Sequence, residues 1–188
     1  MWYKKAENYQ KMREWFDKRT NKHIERVQKY CKKIEEYDDR FNGLVGQAED
    51  HDKSKFEDPE IDPYVYITWQ YKCKEDGTEF EVPEGMDDKM NVATNHHCIT
   101  NKHHPEFYCG KKVGVINRKD RDKPKELIDA TKMPELDIAE MVADWLSMSE
   151  EKNSSPKDWA DKNVNIRWKF TDEQKELIYE LIRNVWEN

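Results

Sequence analysis

Apolar positions recur every three or four residues along most of the chain, the spacing of helices with one buried face. Tyr9, Met12, Trp15 and Phe16 form a first stripe, and Thr20-Asn21 then reads as a cap. Ile24, Val27, Cys31 and Ile34 follow at helical spacing, which predicts a second helix. Gly43 and Gly46 frame a short segment leading into His51-Asp52. Asp62-Pro63 has the form of an N-cap followed by proline at the first helical position, opening a helix through Tyr64, Ile67, Trp69 and Tyr71. Residues 73–86, with Gly77, Pro83 and Gly85, hold no period and predict a surface loop or short hairpin. A helix is expected from Asp87-Asp88 to about His104, where Pro105 disfavours continuation. Residues 109–132 are basic and irregular, with a turn or two of helix expected around Leu127, Ile128 and Ala130. Pro134 opens a strong helix carrying Leu136, Ile138, Met141, Val142, Trp145 and Leu146. After the polar stretch Asn153–Pro156, Thr171 and Gln174 form a capping box for a final helix over 171–187, with Leu177, Ile178, Leu181, Ile182, Val185 and Trp186 as its apolar face. With no internal repeat and no run of alternating strands, the expected fold is mainly α: one compact helical domain over 1–188, its chemistry-bearing core in residues 20–150, with an irregular insertion.

Composition changes that picture little. At 188 residues the chain fits one domain. Charged residues make up 39% and the mean hydropathy is -1.20, values that alone point towards disorder. Seven Trp and nine Tyr point the other way, because each buries a large apolar area. No apolar run approaches the roughly eighteen residues of a membrane-spanning helix, and Met1-Trp2-Tyr3-Lys4-Lys5 does not resemble a secretory signal. Cys31, Cys73, Cys98 and Cys109 include no C-x-x-C pair, so reduced thiols and a cytoplasmic location are expected. A net charge of -7 argues against avid binding to long nucleic acids or anionic membranes. Two segments depart from that average: residues 1–33 carry eleven Lys/Arg against four Asp/Glu, and residues 111–125 carry seven against two. Either is a solvated charged face or a local grip on a phosphate-bearing ligand.

The six histidines fall in three places: His23, His51, and a cluster of His96, His97, His103 and His104. His23 sits at the edge of the Val27/Cys31 stripe, where a lone His is ordinarily a boundary residue. His51-Asp52 puts imidazole beside carboxylate. His97 and His104, two helical turns apart, share a face with Asn101 between them, while His96 and His103 share the neighbouring face. Spacing leaves open which pair points inward; His97 and His104 are taken as the inward pair. Asp144, between Ala143 and Trp145 in an apolar helix, is costly unless paired or bound to a cation, and Glu140 lies one turn earlier on the same face. A salt bridge to Lys or Arg is the alternative for Asp144. Imidazole and carboxylate ligands in this order suit one or two divalent ions of Mn, Fe, Co, Ni or Zn. A Cys98/His103/His104/Cys109 zinc knuckle is a competing arrangement of unusual spacing.

This order resembles the HD phosphohydrolase superfamily, a mainly helical fold that gathers a His, an adjacent His-Asp and a late Asp around a metal. His51-Asp52-Lys53-Ser54-Lys55 is similar to the version found in its multi-metal branches, Asn101-Lys102-His103-His104-Pro105-Glu106 to their His-His pair, and Ala139–Trp145 to the helix bearing the last aspartate. The chain also looks like a family of small phage and bacterial proteins with HD-x-SKF, N-x-HHPE and EMVADW segments, which supplies no activity. The resemblance spans residues 23–146. It departs from the branch that cleaves cyclic dinucleotides: Glu106-Phe107-Tyr108-Cys109-Gly110 replaces a Gly-Tyr-Pro signature, and the His-His pair follows the preceding histidines too closely. The metal centre therefore carries over and the substrate does not. Phosphate-cradling, dinucleotide-binding and nucleophile-elbow motifs are absent from the sequence.

What the resemblance implies is a metal-dependent phosphohydrolase. His23, His51, Asp52 and Asp144 would hold a first metal, and His97 and His104 a second, with Asp52 as the bridge. Lys55 would stabilise phosphoryl charge or orient the nucleophile, and His103 would protonate the leaving oxygen. Arg118 and Arg121 would hold further phosphates, and aromatic residues of 64–71 or 73–86 would stack a base. The substrate class is a phosphorylated nucleoside or small oligonucleotide. Two alternatives stand beside it: a di-iron oxygenase, since relatives of this fold hold two irons with four His and two Asp, and a non-catalytic protein that binds a nucleotide or a partner. The N-terminal stripe with Trp2, Tyr3, Tyr9, Trp15 and Phe16 is expected to pack on the domain, with a homodimer contact as the alternative.

Overall fold

The computed structural model describes residues 2–112, 118 and 126–186. Its first helix, α1 (Trp2–Tyr37), is continuous for 36 residues, about 54 Å at 1.5 Å per residue. This corrects the expected break at Thr20-Asn21. No Gly or Pro interrupts the segment, and one stripe runs through it in phase: Met12, Phe16, Thr20, His23, Val27, Cys31 and Ile34 are all buried. Thr20 and His23 are polar members of that face, and the Asn21 side chain bonds back to the Asp17 carbonyl within the helix.

After α1, Gly43 adopts φ 98° to start the short α2 (Leu44–Gln47). A glycine is needed there because side chains disfavour that backbone. Two 3-10 turns, Ala48–Asp50 and Lys53–Phe56, bracket His51-Asp52. α3 (Ile61–Glu75) begins one residue before the expected Asp62 cap, with Glu60 at the cap position and Pro63 still in the first turn, where its missing N–H costs nothing. The irregular stretch to Gly85 leads into α4 (Met86–Thr100). α4 does not reach His104: Asn101 turns extended at φ -103°, ψ 124°, and His103 and His104 lie in the turn that follows. A 3-10 segment, Pro105–Lys112, comes next.

The remaining elements are α5 (Glu135–Lys152), α6 (Pro156–Asn163) and α7 (Asp172–Trp186). Ser155 caps α6 by accepting from Asp158 N–H. The capping box before α7 is formed in both directions: Thr171 N–H to Gln174 Oε1 at 2.9 Å, and Gln174 N–H to Thr171 Oγ1 at 3.2 Å. β1 (Ile128–Asp129) replaces the expected turn of helix there, pairing in parallel with β2 (Trp168–Lys169). Two residues are too few to show alternation in a sequence.

The fold is mainly α, and α5 is its centre, packed between α1 and α7. Ile138, Val142 and Leu146 of α5 meet Val27 and Ile34 of α1 and Ile178, Leu181 and Ile182 of α7 in the main core. A smaller cluster joins Met12 and Phe16 of α1 to Val65 of α3, so the N-terminal stripe packs on the domain from Tyr9 onward; the side chains of Trp2 and Tyr3 lie outside the described residues. Among the described residues no helix is long and apolar enough to cross a membrane. α1 and α5 thus form one wall, and α3 with α4 form another, around the bracketed His51-Asp52.

Candidate metal centre

The site is assembled from five stretches of chain around Asp52. A left-handed backbone at Asp52, φ 60° and ψ 8°, is uncommon for a residue with a side chain. It turns the carboxylate inward, where Asp52 is 1% exposed. His23 arrives from the buried stripe of α1, Asp144 from α5, and His97 from the last turn of α4; His103 comes from the turn beyond it.

The rings are oriented alike. His51 Nδ1 lies 2.8 Å from Glu140 Oε1, His97 Nδ1 2.9 Å from Glu60 Oε2, and His23 Nδ1 3.0 Å from Ser147 Oγ. His103 Nδ1 lies 3.4 Å from the same Glu140 oxygen. Each Nδ1 therefore has an acceptor behind it, and each Nε2 is directed at Asp52. A partner on one nitrogen that fixes the other as a ligand is how metal-binding imidazoles are held. Glu140 and Glu60 are themselves anchored, by Gln47 Nε2 at 2.7 Å and Ser54 Oγ at 3.1 Å.

Asp52 divides its two oxygens between two pairs of histidines. Oδ2 lies 3.3 Å from His23 Nε2 and 3.8 Å from His51 Nε2. Oδ1 lies 3.1 Å from His97 Nε2 and 3.7 Å from His103 Nε2. Asp144 Oδ1 is 3.3 Å from His23 Nε2. Ligand atoms sharing one cation at about 2.0–2.2 Å lie about 3.0–3.5 Å from one another, so the shorter separations are those of a common coordination shell. His51 Nε2 and Asp52 Oδ1 are buried and make no hydrogen bond among the described residues, which is costly for polar atoms unless a cation meets them. The donor set, neutral imidazoles with carboxylates, fits a divalent transition metal. His23/His51/Asp52 and His97/His103/His104 each bring three ligand atoms within 4.8 Å of one another.

Electrostatics point the same way. Burial alone would raise the Asp52 pKa; the Lys55 and His51 charges, with the His23 and His97 rings beside them, hold it well below the usual carboxylate range. Asp144 is likewise depressed, burial being outweighed by His23 and the neighbouring imidazoles. Glu140, against burial, is brought down to about 2 by His103 and His51. His23 is raised: burial opposes its charged form, and Asp144 and Asp52 more than compensate. The site is a concentration of negative charge with imidazole around it.

Of the residues expected from the sequence, His23, His51, Asp52, His97 and Asp144 converge, and Asp144 meets His23 rather than Lys or Arg. His103, expected as an acid outside the shell, points its Nε2 at Asp52, while His104 stands beside it with ring centroids 4.3 Å apart and 4.8 Å from His97. The premise that His97 and His104 share a helical face fails, because α4 ends between them; the turn brings both together regardless. His96 points away, to Glu60 Oε1 at 2.7 Å. Lys55 pairs with Asp52 Oδ2 and lies over the Tyr64 ring. Arg118 bonds Gln70 and faces Asp87 at 3.6 Å, on the α3–α4 surface, so it joins none of the site's contacts. Arg121 lies outside the described residues. Cys109 Sγ accepts from Asp129 N–H, and among the described residues the thiol-bearing group joins Cys98 and His104 to Glu106 rather than to Cys109. Glu60, Gln47 and Ser147 were not singled out in the sequence. Only the rule that a buried ligand histidine needs a partner calls for such residues, and that rule does not say where in the chain they lie.

No curated protein and no solved structure matches the chain. Its sequence from 12 to 184 matches a family described only as being of unknown function, DUF5662, and the chain belongs to that family.

Proposed function

We propose that this protein is a metal-dependent phosphohydrolase of HD type, acting on a phosphate ester of a nucleotide or small oligonucleotide. The observation that carries the proposal is the split of Asp52: one oxygen faces His23 and His51, the other His97 and His103. A carboxylate so placed would serve two cations, one beside each pair of imidazoles. His23, His51, Asp52 and Asp144 would hold one, and Asp52, His97 and His103 the other, with His104 within reach. When bound, such ions supply Lewis acidity, acidifying water towards pKa ~7 and neutralising charge on phosphoryl oxygens.

The chain's own residues supply the rest. Glu140, Glu60 and Ser147 keep the ring nitrogens aimed inward. Lys55, on the rim with 18% of its side chain exposed, holds its ammonium against Asp52. Released from Asp52, it would meet a substrate phosphate, charge against charge. Asp144, 20% exposed, marks the side open to solvent. Nothing in the shell selects a base, so the nucleotide part of the proposal rests on the basic composition of residues 111–125 and the aromatic residues of 64–71 and 73–86.

The di-iron oxygenase reading draws on the same shell, four imidazoles with two carboxylates. Lys55 beside the bridging aspartate favours phosphate. A screen of phosphomonoesters and phosphodiesters with Mn, Fe, Co, Ni and Zn in turn tests the proposal. Turnover that disappears in Asp52→Ala supports it; an iron-loaded protein that consumes dioxygen and hydrolyses nothing refutes it.

A further inference from the structure

Beside the Asp52 centre lies a donor set of different chemistry. Cys98 is in the last turn of α4, His104 in the turn that follows, and Glu106 at the start of the next 3-10 segment. One ligand atom from each lies within 4.8 Å of the other two. Cys98 is 1% exposed and Glu106 fully buried. Glu106 is also held from the β2 side, where its Oε1 accepts from Arg167 Nη2 at 3.1 Å and Trp168 Nε1 at 3.3 Å. A buried carboxylate fixed by a guanidinium and set against a thiol and an imidazole is a prearranged group.

We infer that Cys98, His104 and Glu106 form a separate site for a thiophilic divalent cation, zinc being the fitting one. Zinc accepts sulfur, nitrogen and oxygen ligands in tetrahedral geometry, which leaves one position here for water. The Asp52 centre offers nitrogen and oxygen alone, so sulfur distinguishes the two sites. Binding expels the Cys98 proton to solvent. Thiolate and carboxylate then supply two negative charges, against the guanidinium and a doubly charged ion. The site ties together three successive pieces of chain, and those pieces carry His97 and His103. It is therefore a clamp that sets the wall of the main centre. With His104 committed to it, His103 is the partner of His97 in the proposed second cation shell. The inference stands on its own ligands and shares only His104 with the phosphohydrolase proposal.

Cobalt separates the two sites, since thiolate ligation gives an intense near-ultraviolet charge-transfer band that nitrogen and oxygen ligands lack. Cobalt(II) added to the chelator-treated full chain should raise this band to a plateau whose height corresponds to about one thiolate-bound cobalt per chain. Cys98→Ser should lose at least about nine-tenths of it while keeping the visible cobalt bands; Cys109→Ser and His51→Ala should keep it. A wild-type chain without the band at saturating cobalt overturns the inference, and so does a band that survives in Cys98→Ser or vanishes in His51→Ala. Failure of the Asp52 centre alone looks different: the thiolate band forms and the remaining cobalt does not bind.

Discussion

His23 Nε2 lies 3.3 Å from Asp144 Oδ1, joining the buried stripe of α1 to the middle of α5. The contact has a pH signature in the metal-free protein. His23 titrates above its ordinary 6.5, so its stabilisation is complete below that value and is lost as pH rises through the raised one. Asp144 titrates below its ordinary 3.8, so its contribution is present above 3.8 and disappears as pH falls through the depressed value. Chelator-treated protein should lose melting temperature as pH rises through the raised His23 value and as it falls through the depressed Asp144 value. A divalent metal should remove the alkaline loss, because it replaces the His23 proton. Thermal melts against pH, with and without metal, check this; an alkaline limb unchanged by metal contradicts it.

Glu60 is fully buried and sits behind His97. Removing such an orienting partner typically weakens metal binding about 10–100-fold. Glu60→Ala should do so without abolishing the first cation, whose His23 and His51 have other partners. Competition against a fluorescent chelator measures the effect, and unchanged affinity would show that the Glu60 contact orients nothing.

Lys55→Ala should separate charge stabilisation from metal binding. The variant should keep its metal and lose about 100-fold in kcat on the substrate found by screening, the scale for one lost donor at a developing charge. Equal losses of metal and kcat would place Lys55 in a structural role.

The buried pair of Arg167 and Glu106, 2% and 0% exposed, predicts a stability effect away from the Asp52 centre. In the chelator-treated chain Arg167→Ala leaves a buried carboxylate uncompensated, at a cost of about 3–5 kcal/mol. Urea denaturation should register it as a lower midpoint. A change under about 1 kcal/mol would mean that water reaches Glu106 and repays its desolvation.

Much of the site was legible in the sequence because ligand chemistry is written in residue type and order. His23, His51-Asp52 and Asp144 stood out on those grounds, and the structure brings them together. Asp144 was conspicuous as a carboxylate in an apolar helix, and Glu140 one turn earlier proved to be the group behind His51 and His103. Periodicity located α5 and α7, and the Thr171/Gln174 box formed as read.

What the sequence concealed has physical reasons. Thr20 reads as a cap by propensity, yet it sits in phase with Phe16 and His23, and burial of that common face keeps α1 continuous. Asn101 ends α4 by its own extended backbone, ahead of the Pro105 expected to do so. Beyond that break helical arithmetic does not apply, so spacing could not order His103 and His104 about His97. The Asp52 turn depends on a left-handed backbone that a non-glycine residue does not announce. Partners such as Glu60 and Ser147 are chosen by position in space, which no local pattern records.

The most direct test of the central claim is elemental analysis of wild type and His51→Ala, produced with Mn, Fe, Co, Ni and Zn supplied and purified without chelator. The account predicts one or more equivalents of transition metal in the wild type beyond any cation held by Cys98, and a clear loss in the folded variant. A metal-free wild type that also takes up none on titration, or a variant that retains the full complement, would contradict it.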